Sequence, residues 1–206
     1  LEMEEEVLLE ELAEGVKEFS SNYEGHLDKL LLRLPRRSMK GLNPAVINSA
    51  GIVAYHDTKT GFLEPFEDAH EMIRRLARTD LKLGIITEGL EVKQSEKLIR
   101  LRLLDYFDHR AIFISHQVGI SKPNPKLYQR ACTDLNLRPS ECLYIGDNPL
   151  HDIDPANEIG MVTVLVSRED RFRSITGETK PDHVIQNFWD LSEILRDQGV
   201  MVPEVL

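Results

Sequence analysis

Leu143-Tyr144-Ile145-Gly146-Asp147-Asn148-Pro149-Leu150-His151-Asp152 is the stretch that decides the fold. An apolar run of strand length stops at Gly146-Asp147 and is followed by an Asn-Pro turn. A second carboxylate, Asp152, stands at the expected start of a helix that ends at Gly160, a natural C-terminal cap. Upstream, Leu83–Ile86 reads as a strand, followed by Thr87-Glu88-Gly89 and a helix to about Leu103. Ala111–Ile114 reads as the next strand, with Lys122 beyond it and a helix from Pro125 to Leu135. Downstream come a strand at Val162–Val166, an edge strand at Asp182–Ile185 and a last helix from Leu191 to Arg196. Strands separated by helices predict an α/β fold with a doubly wound parallel sheet. In such sheets ligands sit outside the carboxyl ends of the strands.

The N-terminal part has a different texture. Leu8, Leu12, Val16 and Phe19 recur at helical spacing, Ser20-Ser21-Asn22 breaks the pattern, and Leu27, Leu30, Leu31 and Leu34 resume it. A basic connection runs from Pro35 to Pro44. Val46, Ala50 and Val53 suggest a third helix, with a short strand at Ile52-Val53-Ala54 as the alternative. A further helix is expected over Asp68–Arg78, with Met72, Ile73 and Leu76 inward. The predicted division is residues 1–64, helical, and residues 65–206, α/β.

The strand ends carry chemistry. Asp147 and Asp152 brought into one crevice repel each other unless a cation or a shared proton intervenes. Hard oxygen donors suit Mg2+, which takes one or two carboxylates, waters and a substrate phosphate. Lys122, between two strand-helix units, is placed to neutralise a phosphate or to hold a neighbouring carboxylate. At Thr87-Glu88-Gly89 a hydroxyl and free backbone amides would suit a phosphoryl oxygen. The plainer readings are helix caps for Asp152 and Thr87 and a solvated surface lysine for Lys122.

Together these residues resemble the haloacid dehalogenase-like (HAD) hydrolase superfamily. Residues 84–89 (GIITEG) look like its second motif, with Thr87 the phosphate-binding hydroxyl. Residues 119–128 (GISKPNPKLY) look like the third, with Lys122 its lysine. Residues 144–164 (YIGDNPLHDIDPANEIGMVTV) look like the fourth, with Asp147 and Asp152 the acidic pair and Pro155 where a glycine is common. The resemblance spans about Pro65 to Arg196. It implies that residues 1–64 are a helical cap over the site, with Tyr23, Tyr55 and His56 as candidate cap-side contacts.

The first motif is the departure. The family nucleophile is the leading aspartate of a DxD stretch, yet the D-x-D found here, Asp152-Ile153-Asp154, belongs to the fourth motif. In such sheets the strand carrying the nucleophile lies in the middle, and removing it would leave backbone groups of its neighbours unpaired. The chain starts at Leu1 rather than a methionine. A strand carrying the nucleophile is therefore expected ahead of it.

The resemblance implies Mg2+-dependent hydrolysis of a small phosphorylated metabolite through an aspartyl-phosphate. Thr87, Lys122 and Asp147 would be catalytic, Glu88 and Gly89 would help bind phosphate, and Asp147 and Asp152 would hold the metal. The alternatives are a 2-haloacid dehalogenase-type hydrolase, which has no use for two metal-directed carboxylates, and a non-catalytic phosphate-binding or interaction protein.

Composition sets the outer bounds. The chain has 206 residues, 41% of them hydrophobic and 29% charged, as in soluble globular proteins. A net charge of -10 argues against nucleic acid or an anionic membrane surface as the partner. No signal peptide or apolar run of membrane-spanning length is visible, so a cytoplasmic location is expected. Cys132 and Cys142 are expected to be reduced thiols. The histidines lack zinc spacing, and the glycines form neither a dinucleotide nor a P-loop pattern. His116 and His151 lie near motif residues, where an ordinary surface or core histidine is the simpler reading. Arg168–Arg173 reads as a charged loop.

Overall fold

The structure is a computed structural model, and it describes residues 4–19, 23, 25–39, 41–168 and 175–203. The break at Ser20-Ser21-Asn22 and all but Arg168 of the 168–173 loop lie outside these. By internal packing the chain divides after Leu63.

The first unit is helical. α1 (Glu5–Phe19) packs against α2 (His26–Arg33), and α2 against α3 (Pro44–Phe62). Residues 52–54 belong to α3 rather than to a strand. The helix has a defined start, because Asn43 Oδ1 accepts from the Ala45 amide at 3.0 Å and Pro44 occupies the first turn.

The second unit, from Glu64, alternates helix and strand. α4 (Glu67–Leu76) leads into β1 (Ile85–Thr87), α5 (Glu91–Arg100), β2 (Ile112–Ile114), α6 (Ser115–Val118) and α7 (Pro125–Asp134). β3 (Leu143–Gly146), α8 (Asp154–Glu158), β4 (Val162–Val166), β5 (His183–Ile185) and α9 (Leu191–Asp197) follow. Every pairing is parallel: β1 runs beside β2, and β3, β4 and β5 form a second ladder in that order. Among the described residues β1 and β3 each pair on one side only.

Both pieces share the same two cores, so they belong to one layer. Leu143 and Ile145 of β3 pack with Met72, Leu76, Val164, Ile185, Leu191 and Leu195, which puts α4 and α9 on one face. Leu83, just ahead of β1, packs there too. Tyr144, alternating with Leu143 and Ile145, turns to the opposite face with Leu127, Tyr128, Cys132, Ala156 and Met161 of α7 and α8. Ile86 of β1 joins it. A parallel sheet covered on both faces is the doubly wound arrangement. The two thiols lie in this second core, Sγ to Sγ 3.8 Å. Burial pushes the Cys142 thiol up to about 12 and raises Cys132 as well, which leaves both as weakly reactive thiols. No helix among the described residues is long and apolar enough to cross a membrane.

Two polar clamps fix the chain at the carboxyl edge. Asp68, in the first turn of α4, accepts from Arg168 and from the Phe188 amide at 2.7 Å, while the Arg168 guanidinium lies 4.3 Å from the Phe66 ring centroid. Asp154 accepts from the Glu178 and Thr179 amides, each at 2.8 Å, and from the Thr179 hydroxyl at 2.6 Å. Burial works against the Asp154 carboxylate, but the Thr179 hydroxyl and the two amides outweigh it and hold its pKa below the ordinary 3.8. A carboxyl depressed by folding contributes stability above its unfolded pKa and loses it as pH falls through the folded one. Asp154→Ala is therefore expected to lower stability by about 2 kcal/mol at neutral pH. The difference from wild type, followed by urea denaturation, should shrink below pH 3.8.

Candidate active site

The turns after β1 and β3 approach each other at the carboxyl edge of the sheet: Glu88 Oε2 lies 3.9 Å from His151 Nδ1. Lys122 reaches into the same place from the segment between α6 and α7. Thr87, Glu88, Lys122, Asp147 and Asp152, chosen from widely separated stretches of sequence, are thus gathered around one edge of one unit.

Asp152 is the most constrained member. It is 5% exposed. Its Oδ1 accepts from Lys122 Nζ at 2.6 Å and from the Tyr144 hydroxyl at 3.2 Å, and its Oδ2 accepts from the Asn148 amide at 3.0 Å. Lys122 Nζ also donates to Tyr144 Oη at 2.9 Å. Burial and then the neighbouring Asp152 charge raise the Tyr144 pKa well above its ordinary value. Tyr144 therefore stays protonated and remains a donor to Asp152. Lys122 is not a solvated surface lysine, since its side chain is 12% exposed and it is one of three members of a knot that stitches the third motif to the fourth.

Asp152 does not cap a helix either. The chain turns helical earlier, through a single π-helical turn at Pro149–Ile153 that runs into α8. Asn148 is the cap: its Oδ1 accepts from the Leu150 amide at 3.0 Å and from the His151 amide at 3.1 Å. Tyr128 supports this turn from below by donating to the His151 carbonyl. Asp147, by contrast, is exposed at the end of β3.

Gly146 explains how the end of β3 comes so close to Asp152. A Cβ built on it would stand 2.4 Å from Asp152 Cβ and 2.5 Å from Asp152 Cγ. Only a residue without a side chain lets β3 end directly against Asp152. Gly146→Ala is expected to push Asp152 off Lys122 and to cost about 1–3 kcal/mol, measured by thermal or urea denaturation.

The turn after β1 is held from beneath. The Thr87 hydroxyl donates to Gln94 Oε1 at 3.1 Å, and the Gly89 amide donates to Ser115 Oγ at 3.0 Å. The expectation of free amides over Thr87–Gly89 therefore does not hold for Gly89, whose N–H is already engaged by a buried serine. His116 is exposed on α6, and His151 is exposed beside Glu88.

The donor set suits a hard divalent cation with an incomplete protein shell. Among the described residues no group of three or more His, Cys, Asp or Glu side chains is assembled for a metal. What the site offers is one carboxylate at the strand end and a second whose oxygens are committed to Lys122, Tyr144 and Asn148. That matches Mg2+, which keeps waters and draws further ligands from a substrate phosphate, and it does not match zinc.

Sequence reasoning missed Tyr144, Gln94 and Ser115. Tyr144 reads as an ordinary strand residue, and the available signal was that a buried tyrosine needs a hydroxyl partner. Gln94 and Ser115 sit on buried helical faces, where a polar residue calls for a partner in the same way.

Comparison with known proteins finds relatives in both sequence and fold. A family model described as haloacid dehalogenase-like hydrolase matches residues 14–166. A protein of Methanopyrus kandleri named glyceraldehyde 3-phosphate phosphatase is 38% identical over 200 residues, covering 95% of this chain and 82% of its own. The solved structure of a HAD phosphatase from Thermococcus onnurineus superposes with a TM-score of 0.65 at 24% identity, covering 92% of this chain and 78% of that one. The HAD-hydrolase YfnB of Bacillus subtilis, solved bound to magnesium, does so with a TM-score of 0.62 at 19% identity, covering 92% and 80%. The extent of the family-model match and the long alignment to the M. kandleri protein establish the relationship, and this chain belongs to the haloacid dehalogenase-like hydrolase family.

Proposed function

We propose that this protein is a Mg2+-dependent phosphomonoester hydrolase whose substrate is a small phosphorylated metabolite of about triose size. The carrying observation is the buried Lys122–Asp152–Tyr144 knot set directly behind the exposed Asp147. It holds a cation and a carboxylate in register where an anionic ester and a metal would meet. The substrate size is taken from the M. kandleri relative, whose name specifies glyceraldehyde 3-phosphate.

In this reading Asp147 holds the ion, and Asp152 fixes Lys122 and reaches the ion through its waters. Bound Mg2+ would offset charge on the phosphoryl oxygens. Lys122 and the Thr87 hydroxyl meet those oxygens from the other sides, with Glu88 and Gly89 shaping the turn that receives them. The nucleophile is an aspartate on a strand between β1 and β3. That place is supported by the one-sided pairing of both strands, which leaves each with an edge that a parallel neighbour would complete. It would attack phosphorus, expel the alcohol and form an aspartyl-phosphate that water then cleaves. Residues 1–64 are read as the cap that selects the substrate. The pair of carboxylates, Asp147 and Asp152, favours this chemistry over carbon–halogen hydrolysis, which needs no metal.

The test is phosphate release by the full-length protein from glyceraldehyde 3-phosphate and a panel of other phosphomonoesters, with Mg2+ and with a chelator. Turnover that disappears with chelation is expected. Absence of turnover on every ester with Mg2+ present would overturn the reading.

A further inference from the structure

We propose that Gln94 is a positioning residue for the phosphate-binding hydroxyl, turning over its side-chain amide so that Thr87 can give its proton to the substrate. The proposal rests on the reading of Thr87 given above and extends it to a residue outside the motifs.

The buried polar side chains described in the unit that begins at Glu64 are Gln94, Ser115, Asp152 and Thr163. Asp152 belongs to the knot with Lys122. Thr163 is satisfied by Asn157 and by Asp182. The other two both serve the turn after β1. Ser115 accepts the Gly89 amide, and Gln94 accepts the Thr87 hydroxyl. Gln94 lies in the first turn of α5, its own amide bonded to the Leu90 carbonyl at 3.0 Å, and its side chain folds back beneath the turn that precedes the helix.

A hydroxyl has one proton. Here that proton points at Gln94 Oε1, 3.1 Å away, and so away from any ligand. If Thr87 is to donate to a phosphoryl oxygen, Oε1 would be left facing Thr87 Oγ1 as one acceptor against another. A half-turn of the amide removes the conflict. Nε2 then donates to Thr87 Oγ1, and the Thr87 proton is free for the phosphoryl oxygen. A neutral amide offers both an acceptor and a donor at the same reach, which a leucine, a methionine or a carboxylate does not.

Gly89 supplies the room. Its φ is +133°, and a Cβ built there would stand 2.4 Å from Gln94 Nε2. The amide thus lies against a bare Cα, where oxygen and nitrogen fit equally well. The same glycine shapes the turn and admits the amide beneath it.

The test uses Thr87→Ala, Gln94→Glu, the shape-matched Gln94→Met, and the Thr87→Ala/Gln94→Glu pair in the full-length protein. Inorganic phosphate is titrated calorimetrically with Mg2+ present, and kcat and KM are measured alongside. Gln94→Glu keeps an acceptor at both positions, so phosphate affinity should fall about tenfold or more. Gln94→Met should lose somewhat less, and in both the loss should appear in KM more than in kcat. In the Thr87→Ala background Gln94→Glu should have little further effect, because the two act through one hydroxyl. Wild-type phosphate affinity in Thr87→Ala would overturn the reading of Thr87 and this proposal with it. A weakened Thr87→Ala with both Gln94 variants binding as wild type, or effects that simply add, would overturn this proposal alone.

Discussion

Lys122→Met is expected to abolish turnover and to lower stability by about 3–5 kcal/mol, the cost typical of removing one partner from a buried ion pair. Lys122 is 12% exposed and Asp152 7% at the side chain, so neither charge has water to fall back on. Methionine fills the stem of the lysine but leaves Asp152 Oδ1 with only the Tyr144 hydroxyl. The turn from Asn148 to Ile153 is built on that carboxylate through the Asn148 amide, so the damage should spread into the fourth motif. Urea denaturation reads the stability and phosphate release reads the activity. Lys122→Met/Asp152→Asn separates the two. Removing both charges should recover part of the lost stability, since a neutral pair carries no uncompensated buried charge, and should recover no turnover. If the double variant were as unstable as Lys122→Met alone, the knot would not be the ion pair it looks like.

The sheet was legible because the apolar runs alternate with helical stretches. Leu143–Ile145 and Val162–Val166 are strands where hydrophobicity alone puts them. Elsewhere the tertiary partner decided. β1 slid from the expected Leu83–Ile86 to Ile85–Thr87, because its register is fixed by Ile112–Ile114 of β2 and not by its own composition. Leu83 still packs, half-buried, against the core, but as part of the approach to the strand. A strand exists by virtue of its neighbour, and a single sequence does not reveal which neighbour will set its length.

The site was legible at its charged residues and not at what holds them. Asp152 reads as a helix start from its carboxylate alone, whereas the Asn148-Pro149 step is the stronger cap signal. The same pair of residues starts α3 at Asn43-Pro44 and α7 at Asn124-Pro125, and in all three the asparagine side chain accepts from the first-turn amides. Once Asn148 is the cap, Asp152 falls one turn inside, and its carboxylate is free to face Lys122. Tyr144 and Gln94 were invisible for another reason. Both occupy positions whose periodicity says core, and only three-dimensional proximity shows that their polar ends meet a lysine, a carboxylate and a hydroxyl.

Asp147→Asn should divide the labour of the two carboxylates. Asp147 is exposed and Asp152 is buried, and their neutralised forms should therefore fail in different ways. Asparagine at 147 removes the charge that would face the ion at an exposed position and keeps the side-chain shape, so the thermal midpoint should stay near wild type. Calorimetric Mg2+ binding should be lost and kcat should fall by about 10²–10³-fold, the scale of removing one preorganised electrostatic contact at a reacting phosphate. Asparagine at 152 strands Lys122 without its counterion, so stability should drop by about 3 kcal/mol. The loss of Mg2+ affinity should be the milder of the two, about 10–100-fold, as for a group acting through another ligand. A protein in which Asp147→Asn binds Mg2+ normally while Asp152→Asn does not would reverse the assignment. The metal would then sit on the buried carboxylate, and Lys122 would have to leave Asp152 to admit it.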